Sequence, residues 1–149
     1  MDKQKKRRGD RRDGRLLREL DSLHFITGIL YPNRCDNEAY ISLRVDLTAM
    51  NEYLAKVNET ETEFPYTMFH IVVAALIKTI TLRPKLNRFI VNSNFYQRNE
   101  VSAAFVVKKQ FSDRGAEALA VLHSREDNTL EDVHAYIRQQ VTECRSTSE

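Results

Sequence analysis

The residues with chemistry to offer are four histidines, two cysteines and a few clustered carboxylates. His123 and Asp127 stand four apart and satisfy the bare spacing His-x-x-x-Asp. Asp127 and Asn128 both suit the cap of a following helix. With four histidines and nine aspartates in the chain the spacing arises readily by chance, so His123 is assigned no catalytic role. His70 lies on an apolar stretch with no carboxylate three or four residues away and reads as a satisfied core histidine. His24 and His134 have no partner suggested by spacing. Cys35 and Cys144 are far apart and match no metal-ligand or CxxC pattern, so they read as reduced thiols, and no metal is expected. Glu59, Glu61 and Glu63 read as solvated loop charges, and Arg34 and Asp36 as a structural ion pair flanking Cys35. Gly9, Gly14, Gly28 and Gly115 are scattered, which excludes a glycine-rich phosphate loop in its usual form. No residue is assigned to catalysis or to cofactor binding on spacing alone.

The elements that would position such residues are organised around 67–82, TMFHIVVAALIKTITL, between Pro65 and Pro84. Phe69, Val72, Val73, Leu76 and Ile80 recur at helical spacing, and Ile71, Ala74, Ala75 and Ile77 keep the rest apolar, which predicts a helix lying on a sheet and covered on several sides. Lys78, Thr79 and Thr81 cut the apolar run short of the roughly 18 residues a membrane span needs. Upstream, 38–46 alternates Tyr40, Ser42, Arg44 against Ala39, Ile41, Leu43, Val45 and predicts a half-buried strand. Thr48 would cap a helix bearing Met50, Tyr53, Leu54 and Val57. Downstream, 88–91 and 95–98 predict a hairpin about Asn92-Ser93-Asn94, and 101–111 and 118–123 two further strands turned at Asp113-Arg114-Gly115. Asn128 or Thr129 caps a last helix with Leu130, Val133, Ile137 and Val141 on one face. Leu16 to Leu30 carries an apolar stripe that must pack along something larger, ending at Tyr31-Pro32. This order predicts an α/β fold, a two-layer sandwich with helices on one face of a mixed sheet.

Of 149 residues, 42% are apolar and 30% charged, enough for a single domain with a sizeable core. Nine of the 23 basic residues fall within the first eighteen positions, leaving an acidic body. Residues 1–12 therefore read as a basic flexible arm and 13–149 as the domain. An arm with no aromatic residue to stack on bases reads as a solubilising or subunit-docking tail, and no nucleic-acid partner is expected. No signal-peptide-like run follows the basic residues, and a cytoplasmic location is expected.

The segments VDLTAMNEYLAKVN, FHIVVAALIKTITLRPKLNRFIV, NFYQRNEVSAAFVVKK and TLEDVHAYIRQQ together resemble the N-terminal half of the catalytic domain of 2-oxo acid dehydrogenase acyltransferases, relatives of chloramphenicol acetyltransferase. The long apolar helix ended by R-P-x-L-N-R-F and followed by A-F-V-V-K-K is the most specific part. The opening GDRRDGRLLRELDSLHF is closer still to stand-alone bacterial members. The resemblance implies a chloramphenicol acetyltransferase-like fold, coenzyme A as the cofactor, an acyl-coenzyme A or acyl-thiol substrate, and a homotrimer with active sites between subunits when the domain is complete. It also implies that the chemistry resides in a C-terminal half: a His-x-x-x-Asp-Gly histidine as general base toward a thiol, and a Ser or Thr that stabilises the oxyanion. This sequence holds neither. Residues 13–149 are accordingly read as a partial acyltransferase-like domain, inactive alone. The alternative is a non-catalytic relative that keeps the fold for assembly or regulation.

Overall fold

The computed structural model describes residues 6–31, 33–110, 115–125 and 127–146. Among them are four α-helices and two small antiparallel sheets, an α/β composition, distributed over two units. Residues 1–44 and 83–100 belong to the first unit, and residues 45–82 and 101–149 to the second. Residues 1–5, Pro32 of the expected Tyr31-Pro32 turn, the end of the expected 101–111 strand, Asp113-Arg114 of the expected turn, and 147–149 lie outside the described residues.

In the first unit, β1 (Gly14–Leu16), β2 (Arg88–Val91) and β3 (Asn94–Arg98) form a sheet in the order β1-β3-β2. Val91 pairs with Asn94, so only Asn92 and Ser93 form the hairpin turn, and both take positive φ, 50° and 58°. That left-handed pair matches the twist of the strands it joins. Phe89 and Tyr96, opposite one another, stack at 5.3 Å, with the Arg98 guanidinium 4.6 Å from the Phe89 ring. Gly14 leaves room for that ring, since a β-carbon there would lie 2.7 Å from it. Helix α1 (Ser22–Leu30) is capped by Asp21, whose carboxylate accepts the His24 N–H at 3.0 Å. Its Leu23, Phe25, Ile26, Ile29 and Leu30 stay exposed, so the expected packing of this stripe is not made. Residues 6–12 of the expected arm bend around Asp10. That carboxylate accepts the backbone N–H of Arg7 at 2.9 Å and of Leu16 at 3.1 Å, and pairs with Arg18.

The second unit contains α2 (Thr48–Val57), α3 (Met68–Leu82), β4 (Ser102–Lys108), β5 (Glu117–His123) and α4 (Leu130–Ser146). The β4 and β5 strands pair antiparallel from Ser102 opposite His123 to Lys108 opposite Glu117. Helices α3 and α4 pack on each other and on this hairpin, closing a core of Val73, Ile77, Leu122, Val133 and Ile137. Burying such side chains contributes roughly 1.5–3 kcal/mol each. Thr129 and Asp132 form a reciprocal cap at the start of α4. Thr129 donates its N–H to the Asp132 carboxylate at 2.9 Å, and its hydroxyl accepts the Asp132 N–H at 3.2 Å. At α2 the cap differs from expectation: Asp46, rather than Thr48, supplies the acceptor, taking the Thr48 N–H at 2.9 Å.

Three expectations need correction. The single mixed sheet is replaced, among the described residues, by a three-stranded and a two-stranded antiparallel sheet. The predicted strand at 38–46 forms no strand; Tyr40, Ile41 and Leu43 are 91%, 80% and 81% exposed. Period-two alternation specifies the faces a strand would present but provides no neighbouring edge to hydrogen-bond, and without one the extended backbone is not a strand. Finally, α3 is covered on one side only. His70, Val73 and Ile77 are buried, while Phe69, Val72 and Leu76 of the expected stripe stay exposed.

Candidate functional site

The sequence-singled residues are largely dispersed. His123 ends β5 with its side chain exposed, in the wall of a cleft that includes Arg125, Asn128 and Asp132, and Asp127 is exposed in the following turn. Asn128 is engaged in that turn, accepting from the Ser124 hydroxyl at 3.0 Å and from the Arg125 N–H. His24 pairs with Asp21 three residues earlier, a partner that the spacing offered and the reading above passed over. Cys35 is exposed, Cys144 half-buried, and both are free thiols. The Arg34 side chain lies outside the described ones, and Asp36 accepts from the Asn33 amide at 2.9 Å. Glu61 and Glu63 are not merely solvated: Glu61 accepts the Phe64 N–H at 3.2 Å, and Glu63 pairs with Arg138 of α4. Among the described residues no group of three His, Cys, Asp or Glu side chains converges as a metal ion would require, and no helix is long and apolar enough to cross a membrane.

The side chains that do converge are His70, His134, Tyr66 and Phe64, in the second unit. Thr67 precedes α3, and its N–H donates to His70 Nδ1 at 3.0 Å, with its hydroxyl 2.9 Å from the same atom. The His70 N–H returns to the Thr67 carbonyl at 3.0 Å. His70 thus caps the helix it belongs to, in the manner of a capping box with imidazole as the acceptor. A backbone N–H can only donate, so Nδ1 carries the lone pair and the neutral ring carries its proton on Nε2. That Nε2–H is buried and has no acceptor. Burial pushes the His70 pKa below its usual value, and the nearby His134 pushes it the same way.

His134, one turn into α4, faces this ring with centroids 4.9 Å apart. Its Nε2 donates to the Phe64 carbonyl at 2.7 Å, a contact across 70 residues that sequence spacing could not suggest. Tyr66 stacks on His134 at 3.7 Å and 11°, and Phe64 closes on both imidazoles at 5.8 and 5.4 Å. Asn58 clamps the loop that delivers these rings, accepting the Tyr66 N–H at 2.8 Å and donating to the Tyr66 carbonyl at 2.9 Å. Burial raises the Tyr66 pKa, with a contribution from the Glu131 carboxylate. The His70 lone pair is spent on Thr67, so in this arrangement His70 offers a donor and not a base. Its sequence signal was Thr67-x-x-His70 at the head of an apolar helix.

Beside this cluster an open groove of about 620 Å³ runs along the start of α3, β4 and the last turns of α4. Its lining is mainly apolar, with His70 in the wall and Lys108 and Arg145 as its charged side chains among the described residues.

A scan against protein-family models found no match, and searches of curated proteins and of solved structures found none either.

Proposed function

We propose that this chain is the N-terminal portion of a coenzyme A-dependent acyltransferase-like protein, with a two-layer, chloramphenicol acetyltransferase-like architecture and the resemblance to 2-oxo acid dehydrogenase acyltransferases noted above. When complete, such a protein transfers an acyl group between coenzyme A and a thiol or other acceptor. The observation that carries the reading is apolar surface left uncovered on secondary structure that is otherwise well formed. Val72 and Leu76 of α3 are exposed, and on the outer face of the β4–β5 hairpin Val106 and Leu119 are 60% and 68% exposed. A two-stranded sheet is marginal by itself, and large apolar side chains left open on it and on α3 are surface that further polypeptide can cover. Further polypeptide of the same domain, or neighbouring copies in a homotrimer, would cover it in this reading. The motif His-x-x-x-Asp-Gly is not in this sequence, and His70 is not free to act as a base, so no turnover is assigned to the chain alone. A cytoplasmic setting belongs to the same proposal.

The absence of that motif equally suits the second reading, a non-catalytic relative with a structural, oligomer-forming or regulatory role. Two measurements test the proposal. An acetyl-coenzyme A transfer assay on this chain is expected to give no product above the buffer control, and measurable turnover overturns the assignment. A reading frame that continues beyond Glu149 into His-x-x-x-Asp-Gly supports the enzyme, whereas a continuation that keeps the fold but lacks that histidine selects the non-catalytic relative.

A further inference from the structure

Charge is divided unequally between the two units. The first, 1–44 and 83–100, has fifteen Lys and Arg against eight Asp and Glu, a net charge of +7 with histidine neutral, whereas the second, with eight against thirteen, carries −5. A unit so one-sided in sign attracts polyanions. Residues 6–12, expected to belong to a flexible arm, bring five of those cations together on folded backbone.

Four bonds hold this strap to the first unit. The Arg18 guanidinium donates to the Arg8 carbonyl at 2.8 Å, the Arg11 N–H to the Gly14 carbonyl at 2.9 Å, the Asn99 side-chain amide to the Arg12 carbonyl at 2.9 Å, and the Leu16 N–H to the Asp10 carboxylate at 3.1 Å. The nearest carboxylates in sequence are matched, Asp10 by Arg18 and Asp13 by Arg11. Left over are Lys6, Arg7, Arg8 and Arg12, all exposed, whose side chains have no acceptor among the described residues. Four cations are thus displayed on backbone that is already ordered, which lowers the entropic cost of engaging a ligand.

The sheet beneath the strap decides which polyanion suits it. Phe95 and Tyr96 are consecutive on β3 and project to opposite faces. Phe95 closes on Gly28 of α1, while Tyr96 lies 5.8 Å from the Arg11 guanidinium and its neighbour Leu16 meets Gly9, so α1 and the strap occupy opposite faces. A lipid surface therefore cannot take the exposed apolar side chains of α1 and the cations of the strap at once. On the strap's face Phe89 is stacked on Tyr96 with the Arg98 guanidinium 4.6 Å from its ring, and Tyr96 is buried, so both rings are engaged rather than open to an unpaired base. A duplex asks for neither lipid-like contact nor stacking, because its bases are stacked on one another and its phosphates are fixed and closely spaced. We propose that the strap 6–12 binds the phosphate backbone of a nucleic-acid duplex through Lys6, Arg7, Arg8 and Arg12, without reading its sequence. The lack of a stacking aromatic residue in the arm, which set nucleic acid aside on sequence, does not bear on backbone contact.

The test titrates the whole chain into fluorescein-labelled duplexes of ~20 base pairs, DNA and RNA of one sequence, and reads anisotropy at several salt concentrations. Binding is expected, equally to a duplex of scrambled sequence, and the tighter of the DNA and RNA arms identifies the form of duplex. For DNA the logarithm of affinity should fall against the logarithm of salt with a slope of about −3 to −4, as four phosphate contacts require. Arg7→Gln, Arg8→Gln and Arg12→Gln together should flatten that slope to about −1 and weaken binding at least ~10-fold at low salt. Lys56→Gln with Lys78→Gln, exposed cations of the second unit, should change neither. In the wild-type chain the amide NMR signals displaced by the duplex are expected in 6–12 and at Asn99, a readout that needs no variant to fold. The proposal is overturned if neither duplex binds at low salt, if the scrambled duplex does not bind, if the triple variant binds undiminished, or if the displaced signals lie in the second unit. It is equally overturned if polyglutamate or phosphatidylserine vesicles, at equal anion concentration, bind more tightly than both duplexes, which would assign the strap to an acidic polypeptide or to a lipid surface.

Discussion

The ring of Phe95 on β3 occupies the space where a β-carbon on Gly28 of α1 would sit. Helix α1 has no buried residue, so this close approach is the contact that a larger side chain would most directly spoil. Gly28→Ala gains about 1 kcal/mol of helix propensity but forces the ring aside at an overpacking cost of about 1–3 kcal/mol. A net loss of up to roughly 2 kcal/mol is expected in urea unfolding. Adding Phe95→Leu should recover part of it, because the two substitutions share one steric conflict and are not additive. Full additivity would show that the ring is not the obstacle.

Ser93 at φ 58° occupies the second position of the β2–β3 turn, where an L side chain is strained by roughly 1–2 kcal/mol. Ser93→Gly relieves the strain while adding flexibility to the unfolded chain, and a gain of about 0.5–1 kcal/mol is expected. Ser93→Val should lose about 1–2 kcal/mol, since a β-branched residue tolerates this region least. Equal midpoints for the three proteins in urea would contradict the left-handed geometry.

Legibility from sequence followed the range of the interaction. The span of α3 was readable because Pro65 and Pro84 bound it, and the Asn92-Ser93 turn and the Thr129 cap because their signals lie within a few residues. Which side of α3 is buried was not readable. Nearly every position on it is apolar, so periodicity leaves the azimuth free, and packing against α4 chooses His70, Val73 and Ile77 over Val72 and Leu76. His70 was recognisable as a core histidine, and its Nδ1 is indeed satisfied, yet the orphaned Nε2–H depends on the surrounding fold. The His134 contact to Phe64 joins distant segments through that same packing.

The stretch 38–46 tests the difference between pattern and pairing. Ile41 and Leu43 stand open to solvent, so Ile41→Thr and Leu43→Thr are expected to change the unfolding free energy of this chain by less than about 0.5 kcal/mol. Ile137→Ala, in the core between α3 and α4, should cost about 2–5 kcal/mol in the same measurement. A loss above about 1 kcal/mol from either threonine variant would mean that the stretch is paired and half-buried after all.

Burial depresses the His70 pKa from its ordinary 6.5, and the His134 ring acts in the same direction. In the folded chain His70 is therefore neutral at pH values where the unfolded chain already binds a proton. The stability associated with the neutral ring is fully present above about pH 6.5 and is lost as pH falls from there through the lower folded value. Its limiting slope is about 1.4 kcal/mol per pH unit, with stability falling toward acid. Other groups titrate over the same range, so the informative quantity is the difference from His70→Asn, whose side-chain oxygen can still accept the Thr67 N–H but does not take up a proton. The variant is expected to unfold with a shallower dependence of stability on pH between 7 and 5, measured as urea midpoints across that range. If wild type and variant run parallel, His70 is not titrating between the folded and unfolded states, and the buried, Thr67-bound neutral imidazole described above is wrong.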